Sequence, residues 1–171
     1  MKKFIASIVI FTLIVCYLCS CEKDDICAEG TPTTPSLIVE FYNKDNREIL
    51  KTINLEYYAE GFDDVDTIID SRLELPFRVD ADNVKWSMTY VYTPTSGNVI
   101  RNTDFLELNY ERNELYVSRA CGYKTVFNLD PDTDDNALTD SPEEDGFWVT
   151  GLSVETLNIE NEDETHIKIF F

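Results

Sequence analysis

The sequence is short of histidine, of glycine and of positive charge. With one histidine, His166, every general-base or metal-site reading converges on a single residue. Six glycines set against nine tyrosines and ten phenylalanines argue against disorder outside the ends and one acidic stretch. Fourteen lysines and arginines face 33 acids, a formal net charge of −19. That balance excludes nucleic acid as a partner, because binding phosphates requires a basic face. No helical period runs longer than about two turns, which excludes a helical bundle.

At the N-terminus, Lys2 and Lys3 precede an almost unbroken apolar run from Phe4 to Leu18. A transmembrane helix takes about 20 apolar residues. This run is shorter and ends in Cys-Ser-Cys-Glu, so a secretion signal over residues 1–20 is favoured over a retained span. Leu18-Cys19-Ser20-Cys21 resembles a bacterial lipobox. That resemblance implies a mature chain beginning at a lipid-bearing Cys21, with the membrane as its first partner. Acyl chains contribute about 0.8 kcal/mol per buried methylene, enough together to hold a soluble domain on a bilayer. Cys16 and Cys19 follow Val15 and Leu18, both too large for the position before the cleavage site. The next residues, Glu22-Lys23-Asp24-Asp25, are similar to the export signal of surface lipoproteins in Bacteroidetes-type bacteria; a solvated tether is the alternative. Loss of the signal removes two lysines and no acid. The mature chain then carries 12 basic and 33 acidic residues, a charge of −21, which keeps it off anionic headgroups except through its lipid.

Five cysteines reduce to two once Cys16 and Cys19 leave with the signal and Cys21 is acylated. Cys27 and Cys121 remain, a pair in a compartment where disulfides persist. Their bond would close 94 residue steps and clip the tether to the domain. The chain-entropy model assigns such a loop about 4.5 kcal/mol. The rival reading, Cys121 as a catalytic nucleophile, loses ground because a second mature cysteine is available.

Residues 21–36 read as a lipid-anchored tether, rich in Gly, Thr and Pro towards its end, and residues 37–171 as one domain. Period-two alternation governs that domain: Leu37, Val39 and Phe41; Ile53, Leu55 and Tyr57; Leu73, Leu75, Phe77 and Val79; Val84, Trp86, Met88, Tyr90 and Tyr92. Pro76 marks its strand as an edge. Strands over 105–110 and 115–123 flank Glu111-Arg112-Asn113-Glu114, which reads as a tight turn. Residues 128–146 read as a long acidic loop with a helical turn near Asn136 to Leu138. Strands follow over 147–159 and 165–171. Seven or eight short strands at this spacing predict an all-β, antiparallel β-sandwich.

Asp24-Asp25-Ile26-Cys27, Thr33-Thr34-Pro35 with Leu37 to Tyr42, Val117-Ser118-Arg119-Ala120-Cys121-Gly122-Tyr123 and His166 to Phe170 together resemble an uncharacterised family of Bacteroidetes lipoproteins, a domain of unknown function. The resemblance implies a lipid-anchored β domain bridged by Cys27 and Cys121, and it implies no activity.

Candidate chemistry is sparse. His166 shares its parity with Lys168, opposite Ile167 and Ile169, and so reads as a surface strand histidine. Asp130, Asp132 and Asp134 alternate as calcium ligands do, but Asp135 and Ser141 stand where an EF-hand loop takes Gly and Glu. They remain at most a weak calcium site. Most aromatics fall on inward parity; Tyr58 and Tyr116 do not and are the candidate ligand contacts. No catalytic residue and no cofactor is assigned. Three readings stand: a non-enzymatic envelope accessory protein, a surface module binding a glycan or a protein, and, least favoured, a hydrolase. Exposed aromatics in a groove would select the second.

Overall fold

A computed structural model describes residues 26–95, 97–142 and 146–171. The signal, the lipobox, Cys21 and the Lys23-Asp24-Asp25 stretch lie outside these residues. The described chain is all-β apart from one turn of helix. Its strands are β1 (Leu37–Asn43), β2 (Asn46–Leu50), β3 (Ile53–Ala59), β4 (Asp66–Asp70), β5 (Arg72–Leu75) and β6 (Asn83–Tyr92). Then come β7 (Ile100–Ser118), β8 (Gly122–Leu129), α1 (Thr133–Asn136), β9 (Leu138–Asp140), β10 (Gly151–Val154), β11 (Asn158–Ile159) and β12 (Ile167–Phe170).

One sheet is ordered β10-β12-β1-β2, with β5 also on β1; the other is ordered β11-β8-β7-β6-β3-β4, with β9 on β7. β1 runs parallel to β12, Val39 opposite Ile167, and antiparallel to β5, Val39 opposite Leu73. Flanked by strands on both sides, β1 buries not only Leu37, Val39 and Phe41, as alternation expects, but also Ile38.

The chain forms two compact units. The larger comprises Pro32–Leu115 with Lys124–Phe171 and is sandwich-like. Leu37, Phe41, Leu73 and Ile167 from one sheet share a core with Leu55, Met88, Leu106 and Phe127 from the other. Trp148 anchors it, its ring centroid 6.4 Å from that of Phe41 and its Nε1 donating to the Met88 carbonyl at 3.0 Å. Among the described residues the smaller unit joins Ile26–Thr31 with Tyr116–Tyr123, and within it Cys27 and Cys121 are disulfide-bonded. The bond removes Cys121 as a nucleophile.

Several sequence expectations are corrected. Glu111-Arg112-Asn113-Glu114 is not a turn: β7 runs straight through it. Arg112 Nε donates to Asp82 at 2.6 Å and another guanidinium nitrogen bonds the Val79 carbonyl, holding the stretch extended. The turn comes later, where Ser118 Oγ accepts the Cys121 N–H at 3.0 Å and Gly122 takes φ +72°, a conformation that favours glycine. The strand expected to reach Val79 stops at Leu75, before Pro76, so Val79 loses its inward parity and is 56% exposed. Residues 147–159 are not one strand, since β10 pairs with β12 in one sheet and β11 with β8 in the other. The helical turn lies at Thr133–Asn136, and Leu138–Asp140 pairs with β7. Such short pieces raise the strand count to twelve.

Candidate functional site

His166 is the largest departure from expectation, with no exposed surface at all. It precedes β12 rather than belonging to it, so strand parity does not govern its side chain. Its Nδ1 accepts the Ile38 N–H at 2.8 Å, and its own N–H donates to the Ile38 carbonyl at 3.0 Å. A ring nitrogen that accepts is unprotonated, which assigns the neutral, Nε2-protonated tautomer. Burial pushes the imidazole below its ordinary value; Glu164, the Asn161 backbone and Glu162 pull the other way, and Arg72 adds to the lowering. Nε2 is buried as well. This histidine is a structural link between β1 and the start of β12.

The acidic segment is also engaged in holding the chain. Asp130 Oδ1 accepts the Asp132 N–H at 2.9 Å, and Asp134 Oδ1 accepts the Val154 N–H at 2.6 Å. Asp132 sits at the N-terminus of α1 and makes no side-chain cap there. Among the described residues no three His, Cys, Asp or Glu side chains gather as a metal site would require.

A groove of about 380 Å³ lies at the C-terminal end of β3. Phe77 and Trp86 form its floor and Tyr58, Phe62 and Val79 its walls. The backbone builds it in two places. After β3 the chain turns at Gly61 (φ +90°), with Phe62 N–H donating to the Ala59 carbonyl at 3.1 Å; this leaves the Phe62 ring 55% exposed. After Pro76 the chain departs from β5 and is fixed by the Tyr110 hydroxyl, which accepts the Arg78 N–H and donates to the Arg78 carbonyl.

Charge at this groove is uneven. Arg78 forks onto Asp80 at 3.1 and 3.0 Å, and that bond holds the Asp80 carboxyl below its ordinary value. The pair neutralises itself and leaves Asp64 and Asp66 as the net charge of the lining. An aromatic wall with adjoining carboxylates can stack an apolar or sugar face and accept hydrogen bonds from its rim. Trp86 Nε1, buried in the floor, meets no acceptor among the described residues.

Of the two aromatics singled out by parity, Tyr58 lies in this groove. Tyr116 lies elsewhere, in the smaller unit, 59% exposed and 5.4 Å in centroid distance from Tyr123, which is 67% exposed. Phe62 and Val79 were missed. A phenylalanine directly after a turn glycine, followed by Asp63 and Asp64, is the signal that strand parity does not register.

No curated protein and no solved structure matches this chain. One family model does, over residues 54–171, which takes in the groove, His166 and Cys121 but not the stretch around Ile26-Cys27. The chain belongs to the family of unknown function DUF6452.

Proposed function

We propose that this is a lipid-anchored protein of the bacterial cell envelope, an outer-membrane lipoprotein of Bacteroidetes type, whose β domain is an accessory interaction module and not an enzyme. The anchor rests on the lipobox-like Leu18-Cys19-Ser20-Cys21 and the apolar run before it. The non-enzymatic reading is supported by what His166 does: its one acceptor nitrogen is spent on the Ile38 amide, so it is not placed to take a proton from a substrate. A Cys21→Ser variant tests the anchor. Wild type is expected to incorporate a palmitate analogue and to pellet with membranes, and the variant to do neither; a variant that keeps its label overturns the anchor at Cys21.

The groove favours interaction through a bound ligand, a glycan or a protein segment, over a purely structural role. The observation that carries this is the half-open Phe62 ring beside Tyr58 above a Trp86 floor. Titration with neutral oligosaccharides, read by tryptophan fluorescence, is expected to give a saturable change that Phe62→Ala removes. An unchanged response in Phe62→Ala overturns this location, and silence towards every oligosaccharide turns the reading to a protein segment. Protease treatment of intact cells then decides the side of the membrane. Cleavage before permeabilisation is expected if Lys23-Asp24-Asp25 acts in export, and protection places the domain facing the periplasm.

A further inference from the structure

The smaller unit has properties that the groove does not explain. Ile26 is 82% exposed, Tyr116 59% and Tyr123 67%, with the two tyrosine rings in edge contact. Between them runs Val117-Ser118-Arg119-Ala120-Cys121-Gly122, the turn from β7 to β8. Across Ile26–Thr31 and Tyr116–Tyr123 there is one acid, Glu29, and one base, Arg119. In a chain of net charge −19 this is a neutral patch. Arg119 has no ion-pair partner among the described residues, whereas every ion pair found there lies in the larger unit.

We infer that the Tyr116–Tyr123 turn, together with Ile26, is a membrane-contacting surface that sits among the lipid headgroups of the bilayer to which the chain is anchored. The inference rests on the lipid-anchor reading. Its argument is one of chain length, chemistry and charge. Six residue steps separate Cys21 from Cys27, a span of at most about 20 Å at full extension. The Cys27–Cys121 bond carries that limit across to the turn, which therefore cannot leave the neighbourhood of the lipid. Tyrosine rings favour the zone between hydrocarbon and water, where the ring is apolar-solvated and the hydroxyl stays wet. An unpaired arginine beside them suits headgroup phosphate. Glu22-Lys23-Asp24-Asp25 is hydrophilic and precedes the patch, which leaves Ile26 and the two tyrosines as the apolar contact. Elsewhere the excess of acids opposes approach to an anionic surface.

The test uses the full-length lipidated protein in vesicles of phosphatidylethanolamine and phosphatidylglycerol. Flotation reports anchoring, and hydroxyl-radical labelling read residue by residue reports contact. The reference is the Cys21→Ser chain mixed with the same vesicles. Expected is flotation of wild type with Tyr116 and Tyr123 labelled about fivefold less than in the reference, as for rings withdrawn into the interface, while Tyr92 is unchanged. A lipidated Cys27→Ser/Cys121→Ser protein is expected to float but to regain labelling at both tyrosines. Flotation with Tyr116 and Tyr123 fully reactive overturns this inference and leaves the anchor standing. Failure to float overturns the anchor and the inference together. Protection that persists without the disulfide overturns the role given to the bond.

Discussion

None of the residues Ile26–Thr31 and Tyr116–Tyr123 is buried, whereas the unit of Pro32–Leu115 and Lys124–Phe171 seals many large side chains, Phe41 and Phe127 among them, almost completely from solvent. The first is closed by a covalent bond and the second by apolar packing. A segment this small has too little surface to hide for hydrophobic burial to offset its ordering entropy. A cross-link instead acts on the unfolded chain and needs no core. Aromatic residues are present in both units, so residue type alone does not separate them. What separates them is whether a second sheet covers the ring. Phe41 is enclosed by the rings of Trp148 and Phe171, while among the described residues the ring neighbour of Tyr116 is Tyr123 beside it.

The sharpest way to break this comparison is to truncate one aromatic from each unit. Phe41→Ala should cost about 3–5 kcal/mol, the usual range for emptying a large buried ring. Tyr116→Ala should stay within about 0.5 kcal/mol, as exposed positions do. Urea denaturation measures both; comparable losses would mean that the tyrosine pair is packed and not presented. Next in size is the disulfide. The loop of 94 residue steps predicts that Cys27→Ser/Cys121→Ser lowers stability by about 2–4 kcal/mol, acting through the unfolded chain. The m-value should rise, because an unfolded chain freed of the cross-link exposes more surface while the native buried area is unchanged. A loss below about 0.5 kcal/mol would remove the bond from the list of what stabilises this protein.

Much of the larger unit was legible in the sequence, and the reason is periodicity. Leu37, Val39, Ile53, Leu55, Leu73, Leu75, Val84, Trp86 and Met88 all fall where alternation places them. The Cys27–Cys121 pairing agrees with the cysteine count left by the expected signal and lipidation. Alternation fails where a strand stops, because beyond its last residue the chain is free to rotate. Val79, past Pro76, turned outward; His166, one residue before β12, turned inward. The same limit hid the groove, half of which is built by non-strand residues, Phe62 and Val79. Strand length failed differently. Glu111-Arg112-Asn113-Glu114 has turn composition, but nothing in it requires a positive φ, and the Arg112 contacts that keep it extended are to Asp82 and Val79, remote in sequence.

His166 gives the next prediction, with a defined sign. Its folded value lies below the ordinary 6.5, so the folded protein binds fewer protons at this site than the unfolded chain does. Its contribution is complete above pH 6.5 and is lost as pH falls from 6.5 through the folded value, where protonation at Nδ1 breaks the bond from Ile38 N–H. The difference in stability between wild type and His166→Gln should therefore be flat above pH 6.5 and narrow on the acid side. Denaturation at a series of pH values checks this. A difference that widens on acidification would show that the Glu164 and Glu162 carboxylates outweigh burial.

The smallest effect expected belongs to the surface charges of the larger unit. Arg101 on β7 reaches across the intervening β6 to Glu56 on β3, one of its two nitrogens at 2.8 Å, and the contact lowers the Glu56 pKa. The geometry is bidentate, the best an exposed pair can have. Arg101 is nonetheless 56% exposed at its side chain, so water and salt screen the attraction. A double-mutant cycle with Glu56→Gln and Arg101→Gln should return a small favourable coupling, as exposed pairs do, shrinking in high salt. A coupling near zero would place this ion pair on the side of solubility. A large coupling would mean that the acidic surface, short of bases, relies on each arginine it has to limit self-repulsion.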